Sequence, residues 1–414
     1  MAMLCGVQWD YSSDSPLLSR TATILATNGT ANQTWVGGDA NYNAAMPFGG
    51  MGRCGLTIDG TVMNRYGDGC YLDTDPTTHK MVCVPAFYSY VDYYPTASHV
   101  NFYISDVPTS ITLEGGGSAT TSLNPAFTSG GLNVPYLYIG AFEAYYMGGI
   151  LTSLADVQPT TLTAGGANFS ITAARTYAEA NGDGWELMTA QTLSMLQLLL
   201  IVEYARFDFC TAISQGISNL GEQTNRTGGC NTGHTKVLGN VTGAVGFTSD
   251  NVVSPDVELE TEAVSYRGIE NLWGNVMQFI DGINIAPDSI NYSVWVNTTN
   301  ARPFSSTAHD GDQYKNTGQA LINGIIDYDI TSFDFSQAAY NWLFIPEIAE
   351  YLSLRTQYVC GGVSTSALTA QILLHGGYWP SWAAGVGPFY LDYRSTATYS
   401  HYKHAGARIQ YMGV

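Results

Sequence analysis

Apolar and polar positions change period several times along this chain, and each change marks an element. Leu56-Thr57-Ile58-Asp59-Gly60-Thr61-Val62 alternates about an Asp-Gly pair and predicts a hairpin with a tight turn. Met81 to Val91 is an apolar strand run in which Pro85 predicts an edge or a break. Asn101 to Ile104, Pro135 to Tyr145 and Val294 to Val296 also read as strands. The period then lengthens. Ser170 or Thr172 caps a short helix over Ala173 to Asn181, ended by Gly182. Thr189 caps a longer helix, roughly Ala190 to Arg206, with Leu193, Leu196, Leu200 and Tyr204 on one face. Residues 106–133, 210–255 and 297–340 are polar or Gly-rich and read as loops or excursions.

The run from Leu373 to Arg408 has no period at all. Tyr378, Pro380, Ser381, Trp382, Val386, Tyr390, Asp392, Arg394, Thr398, Tyr399, His401, Lys403 and His404 follow one another without helical or strand spacing. Residues 375–411 hold six of the 28 tyrosines and three of the seven histidines. Tyrosine offers a large, rigid contact area with a polar tip, so this density predicts a ligand-contacting surface. An irregular, Tyr-rich edge of the core is the other reading.

Composition narrows the classes. A net charge of −19 with only 15 Lys and Arg excludes a basic nucleic-acid footprint and disfavours anionic membranes. The longest apolar run, Leu193 to Val202, is too short to cross a bilayer, so no membrane insertion is expected. Met1-Ala2-Met3-Leu4-Cys5 opens without a basic, then apolar, leader, and synthesis in a cytoplasm without a signal peptide is expected. Cysteines 5, 54, 70, 83, 210, 230 and 360 are odd in number and lack Cys-x-x-Cys spacing, against a disulfide framework or a zinc ribbon. Cys54, Cys70 and Cys83 are expected as buried thiols.

Candidate chemistry is sparse. His401-x-x-His404 lacks a third ligand of clear spacing. Asn181-Gly182-Asp183-Gly184 and Asp310-Gly311-Asp312 look like calcium-loop fragments without the closing acid, and read as solvated turns. Neither catalytic nor metal residues are assigned. Glu203, Arg206, Arg267 and Glu270 read as buried ion pairs that orient a scaffold.

Three segments carry a resemblance. Gly184-Trp185-Glu186-Leu187-Met188 through Glu203-Tyr204-Ala205-Arg206 is the first. Tyr266-Arg267-Gly268-Ile269-Glu270-Asn271-Leu272-Trp273-Gly274-Asn275-Val276 is the second. His375-Gly376-Gly377 with Gly406-Ala407-Arg408 is the third. In this order they resemble the C-type-lectin-like fold of the formylglycine-generating-enzyme type. Within it, the chain resembles phage tail-fibre tips and the variable proteins of diversity-generating retroelements. The resemblance covers residues 134 to the end, and more loosely Pro47 to Arg53 and Val84 to Tyr88.

The resemblance implies an α+β fold. A β-rich attachment or assembly region (1–130) would precede a C-type-lectin-like ligand-binding domain (131–414) with long irregular insertions and a variable surface at 373–408. It implies a phage receptor-binding adhesin in the virion tail. Its partners would be a host cell-surface protein or glycan and other tail-fibre proteins, and it would be a homo-oligomer, a trimer being plausible. A bacterial surface or secreted binder of the same fold is the alternative. The oxidase of the superfamily needs a late cysteine pair, and residues 361–414 contain none. No cofactor is implied, although structural calcium stays open for such a fold.

In retroelement-diversified relatives, adenine mutagenesis of Asn-type codons gives Tyr, Ser, His, Asp, Arg, Pro, Thr or Val, but not Trp or Lys. By that rule Tyr378, Pro380, Ser381, Val386, Tyr390, Asp392, Arg394, Thr398, Tyr399, His401 and His404 are the variable, ligand-binding positions. Trp273, Gly274, Asn275, Gly376, Gly377, Trp379, Trp382 and Arg408 form the fixed scaffold beneath, and Lys403 is also fixed.

Overall fold

The helix Ala190–Tyr204 is the hub of the computed structural model, which describes residues 3–13, 15–24, 37–38, 40–218, 228–247, 262–288, 291–307, 313–322, 328–351, 362–365, 371–378, 386–395 and 403–413. Thr189 caps it as expected, its Oγ1 accepting from the Thr192 N–H. Ala205 closes it in the left-handed conformation, and Arg20 donates to the last carbonyls, at Val202 and Glu203. The expected single apolar face is an understatement: every residue from Ala190 to Glu203 is buried. Strands and loops surround the helix, so its polar side chains need partners on several walls. Gln191 donates to the Asn297 carbonyl, Ser194 to that of Trp342 and Gln197 to that of Pro388. The shorter helix is Ile171–Glu179, with Ser170 as its cap and Gly182 at φ +124° just beyond it.

Three principal sheets make the rest. One runs Ser122–Leu123, Tyr88–Tyr94, His99–Ser105, Leu4–Asp10, Ser19–Ile24. A second runs Trp185–Leu187, Ile409–Met412, Tyr136–Gly140, His79–Pro85, Gly52–Leu56, Val62–Arg65. Its outer hairpin turns at Asp59-Gly60 as the sequence predicts, and Pro85 ends its strand. The third, nine-stranded, is ordered Tyr314–Ile322, Asn291–Asn297, Met277–Asp288, Gln371–His375, Leu391–Ser395, Gly362–Thr365, Tyr328–Phe333, Pro346–Tyr351, with Ala405–Gly406 paired to Met277 and Gln278.

One expectation is corrected here. The α+β class gives way to a β-rich one: among the described residues there are 31 strands against four α-helices, two of which have five residues or fewer. The reason is local. Segments read as polar excursions, such as 314–322 and 328–333, are edgeward strands of the third sheet, whose pairing supplies what their sequence pattern does not. The second sheet interleaves strands from both sides of residue 130, and one apolar cluster runs from Met3 to Met412.

The thiols are split. Cys54 and Cys83 are buried, and burial pushes the Cys54 thiol up to about 12, whereas Cys70 is exposed, contrary to expectation. Cys5 and Cys230 are likewise buried free thiols, and Cys210 is disulfide-bonded.

Candidate ligand-binding surface and its anchorage

The segment Tyr266–Val276 is shaped by five residues of positive φ: Arg267, Gly268, Asn271, Gly274 and Asn275. Tyr266 pairs with Ile269, so Arg267 and Gly268 form a two-residue hairpin turn that needs positive φ at both positions. Arg267 tolerates this because its guanidinium is fixed. It makes a fork to Glu203 at 2.8 and 2.7 Å and donates to the Phe48 carbonyl at 3.0 Å. Tyr266 Oη donates to the same carboxylate. The expected buried pair is therefore Arg267–Glu203. The Arg206 side chain pairs with its neighbour Asp208.

Glu270 accepts from the N–H groups of Gly233 and Thr235 at 2.6 Å each and from Thr235 Oγ1 at 2.7 Å, which fixes a passing loop. Glu143 lies under the next turn. It accepts from Asn275 Nδ2 at 2.6 Å, Asn271 Nδ2 at 3.2 Å and the Val276 N–H at 3.2 Å. Burial lifts its carboxyl to about 8, opposed by Arg408 and the two amides. Trp273 is fully buried and donates from Nε1 to the Ser214 carbonyl.

Both ends of the aperiodic stretch close on this one segment. At its start, the Gly274 N–H donates to the Gly376 carbonyl at 2.9 Å. A Cβ at Gly376, which has φ +95°, would sit 3.1 Å from the Leu272 carbonyl oxygen and 3.3 Å from Trp273 Cα, so glycine is required by close approach and conformation together. At its end, the Met277 N–H donates to the His404 carbonyl at 2.7 Å. Arg408, fully buried, donates to Gln278 Oε1 and to the carbonyls of Gly140, Glu270 and Asn271, all within 3.0 Å. The rings of Tyr378 and His404 consequently stack, centroids 4.0 Å apart and 18° from parallel.

The predicted surface residues divide accordingly. Tyr378 and His404 are half-buried at the mouth where the stretch leaves and returns. Val386, Tyr390 and Asp392 are buried, at 1, 0 and 2% exposure, so in this chain they are core rather than contact surface. The cause is pairing. Leu391–Ser395 is an interior strand between Gln371–His375 and Gly362–Thr365, and the Tyr390 carbonyl accepts from the Gly376 N–H and lies 3.1 Å from His375 Nδ1. Arg394 lies on that strand. Pro380, Ser381, Thr398, Tyr399 and His401, with the scaffold residues Trp379 and Trp382, lie outside the described residues, as do Asp310 and Asp312.

Of the other scaffold positions, Trp273, Gly274, Asn275, Gly376, Gly377 and Arg408 all sit at the clamp or beside it. Sequence reading missed Glu143 and Gln278 as anchors. Glu143 carries one signal, a lone acid in the apolar run Ile139 to Ala144.

Among the described residues no group of three His, Cys, Asp or Glu is placed to hold a metal ion. Asn181 uses its amide to donate to the Leu151 and Ala178 carbonyls, and Asp183 is an exposed partner of Arg302. No helix of the described residues is long and apolar enough to cross a membrane. No protein-family model matches the chain, and no curated protein matches it.

Proposed function

We propose that this chain is a receptor-binding adhesin, the tip of a phage tail fibre, which presents changeable positions between two fixed attachment points on a β-rich frame. The observation that carries this reading is the clamp. Residues 376 and 404 are held on the single segment 274–277 by backbone bonds, and Arg408 fixes both flanks of that segment, at Glu270 and Asn271 before it and Gln278 after it. Side chains between the clamps, other than the buried ones, can then change without unfolding the frame. The buried positions Val386, Tyr390 and Asp392 leave the contact set. The positions retained are Pro380, Ser381, Arg394, Thr398, Tyr399 and His401, with Tyr378 and His404 at the rim. The resemblance of the three motif segments to tail-fibre tips and retroelement-variable proteins supports the same assignment. The receptor would be a protein or glycan of the host surface, bound non-covalently, with many copies on one virion giving avidity.

The test compares the wild type with a variant carrying alanine at Ser381, Tyr399 and His401. Retention on a panel of intact bacterial cells is measured alongside thermal melting. Loss of retention with an unchanged melting temperature is expected. Equal retention by both proteins would remove these three positions from the binding surface.

A further inference from the structure

On another side of the Arg267 turn lies a cleft of about 260 Å³, lined by Gly38, Asn43, Phe48, Met51, Val241 and Arg267 among others. It plays no part in the clamp. Its polar lining has spare donors. A guanidinium carries five N–H groups, and Arg267 uses three of them, two on Glu203 and one on the Phe48 carbonyl. Two remain without an acceptor among the described residues. Asn240, also in the lining, spends its amide oxygen on the Arg53 N–H, which leaves its amide nitrogen as a donor. Asn43 is exposed beside it. Glu203 already neutralises Arg267, so the cleft offers donors without net positive charge. An anion gains little there, whereas a neutral carbonyl oxygen can take both spare N–H groups.

The walls opposite are apolar. Phe48 lies beneath the guanidinium, its ring centroid 5.1 Å away, with Met51 and Val241 alongside. Val241 is 62% exposed, so among the described residues the rim of the cleft has an accessible apolar side. A ligand that fits must carry a neutral acceptor, a small apolar group next to it and further hydroxyls for Asn43, Asn240 and Thr242. An acetamido group on a sugar ring has this pattern: its carbonyl faces Arg267, its methyl faces Met51 and Val241, and its ring hydroxyls meet the amides.

We propose that this cleft is a second binding site, lined by none of the residues assigned to the adhesin surface, for a single N-acetylated hexose residue of a glycan. Its size admits one ring only, and with few contacts the affinity is low, a dissociation constant on the order of 1 mM.

The experiment is saturation-transfer NMR on the full chain with N-acetylglucosamine, glucose and N-acetylalanine methylamide as separate probes. Two variants fill the mouth, Val241→Trp and Asn43→Trp, both at exposed positions where the fold is spared, as checked by thermal melting. The expected result is transfer to the acetyl methyl of N-acetylglucosamine in the wild type, at least tenfold weaker transfer to glucose, and loss of the signal in both variants. Absence of transfer to N-acetylglucosamine, or transfer that survives in both variants, overturns the proposal. Transfer to the acetylated amino acid but not to the sugar also overturns it, in favour of a peptide site. The variant with alanine at Ser381, Tyr399 and His401 should keep the wild-type signal, so failure here and failure of the adhesin reading are told apart.

Discussion

Replacing Arg408 with methionine tests the clamp most directly. The guanidinium is fully buried and makes four hydrogen bonds, to Gln278 Oε1 and to the carbonyls of Gly140, Glu270 and Asn271. Burial lowers its pKa to about 10, against the pull of Glu143 and Glu270, so it stays charged at neutral pH. Methionine fills a similar length but leaves four acceptors in the interior with their donor removed, each costing about 1–3 kcal/mol where no water reaches it. It also removes the positive charge that acts on Glu143 and Glu270. These contributions overlap, and we expect a net loss of about 4–6 kcal/mol, a large part of the roughly 5–15 kcal/mol that holds a typical domain. Arg408→Lys keeps the charge but lacks the fork that spans three carbonyls, and should lose about half as much. Urea unfolding followed by tryptophan fluorescence reads both. A loss under about 1 kcal/mol for Arg408→Met would refute the view that this side chain locks the 270–278 segment.

Two further outcomes follow from the same geometry. Tyr390→Ala, at a position of no exposure, should cost about 3–5 kcal/mol as a large-to-small core change, measured by urea midpoint; a surface-sized effect below about 0.5 kcal/mol would return Tyr390 to the contact face. His375 is buried and its pKa is lowered to about 3 by desolvation, from an ordinary value near 6.5. A lowered folded pKa gives stability that is present above the unfolded value and lost as pH falls towards the folded one. The stability advantage of the wild type over His375→Asn should therefore shrink by about 1.4 kcal/mol per pH unit from pH 6.5 down to 4. A difference independent of pH would mean that His375 is not held neutral.

Much of the local structure was legible in the sequence because its causes are local. Thr189 and Ser170 cap because a side-chain oxygen reaches a free N–H within three residues. Asp59-Gly60 turns because glycine accepts positive φ, and Pro85 ends a strand because it cannot donate to a ladder. The pairing of Arg267 with Glu203, and Arg408 as scaffold, were reachable because charged groups in apolar motif segments need burial partners.

What the tertiary structure alone decided is which residues of an aperiodic stretch face inward. Val386, Tyr390 and Asp392 carry no period that marks them as core; their burial comes with the pairing of Leu391–Ser395 between Gln371–His375 and Gly362–Thr365 inside the third sheet. The same holds for the polar runs 314–322 and 328–333, which are strands only because the third sheet offers them a neighbour. Sequence pattern records what a residue does within a few positions of itself. Sheet pairing, and the clamp that Gly274, Met277 and Arg408 close on Gly376 and His404, depend on chain segments that meet only when the molecule is folded.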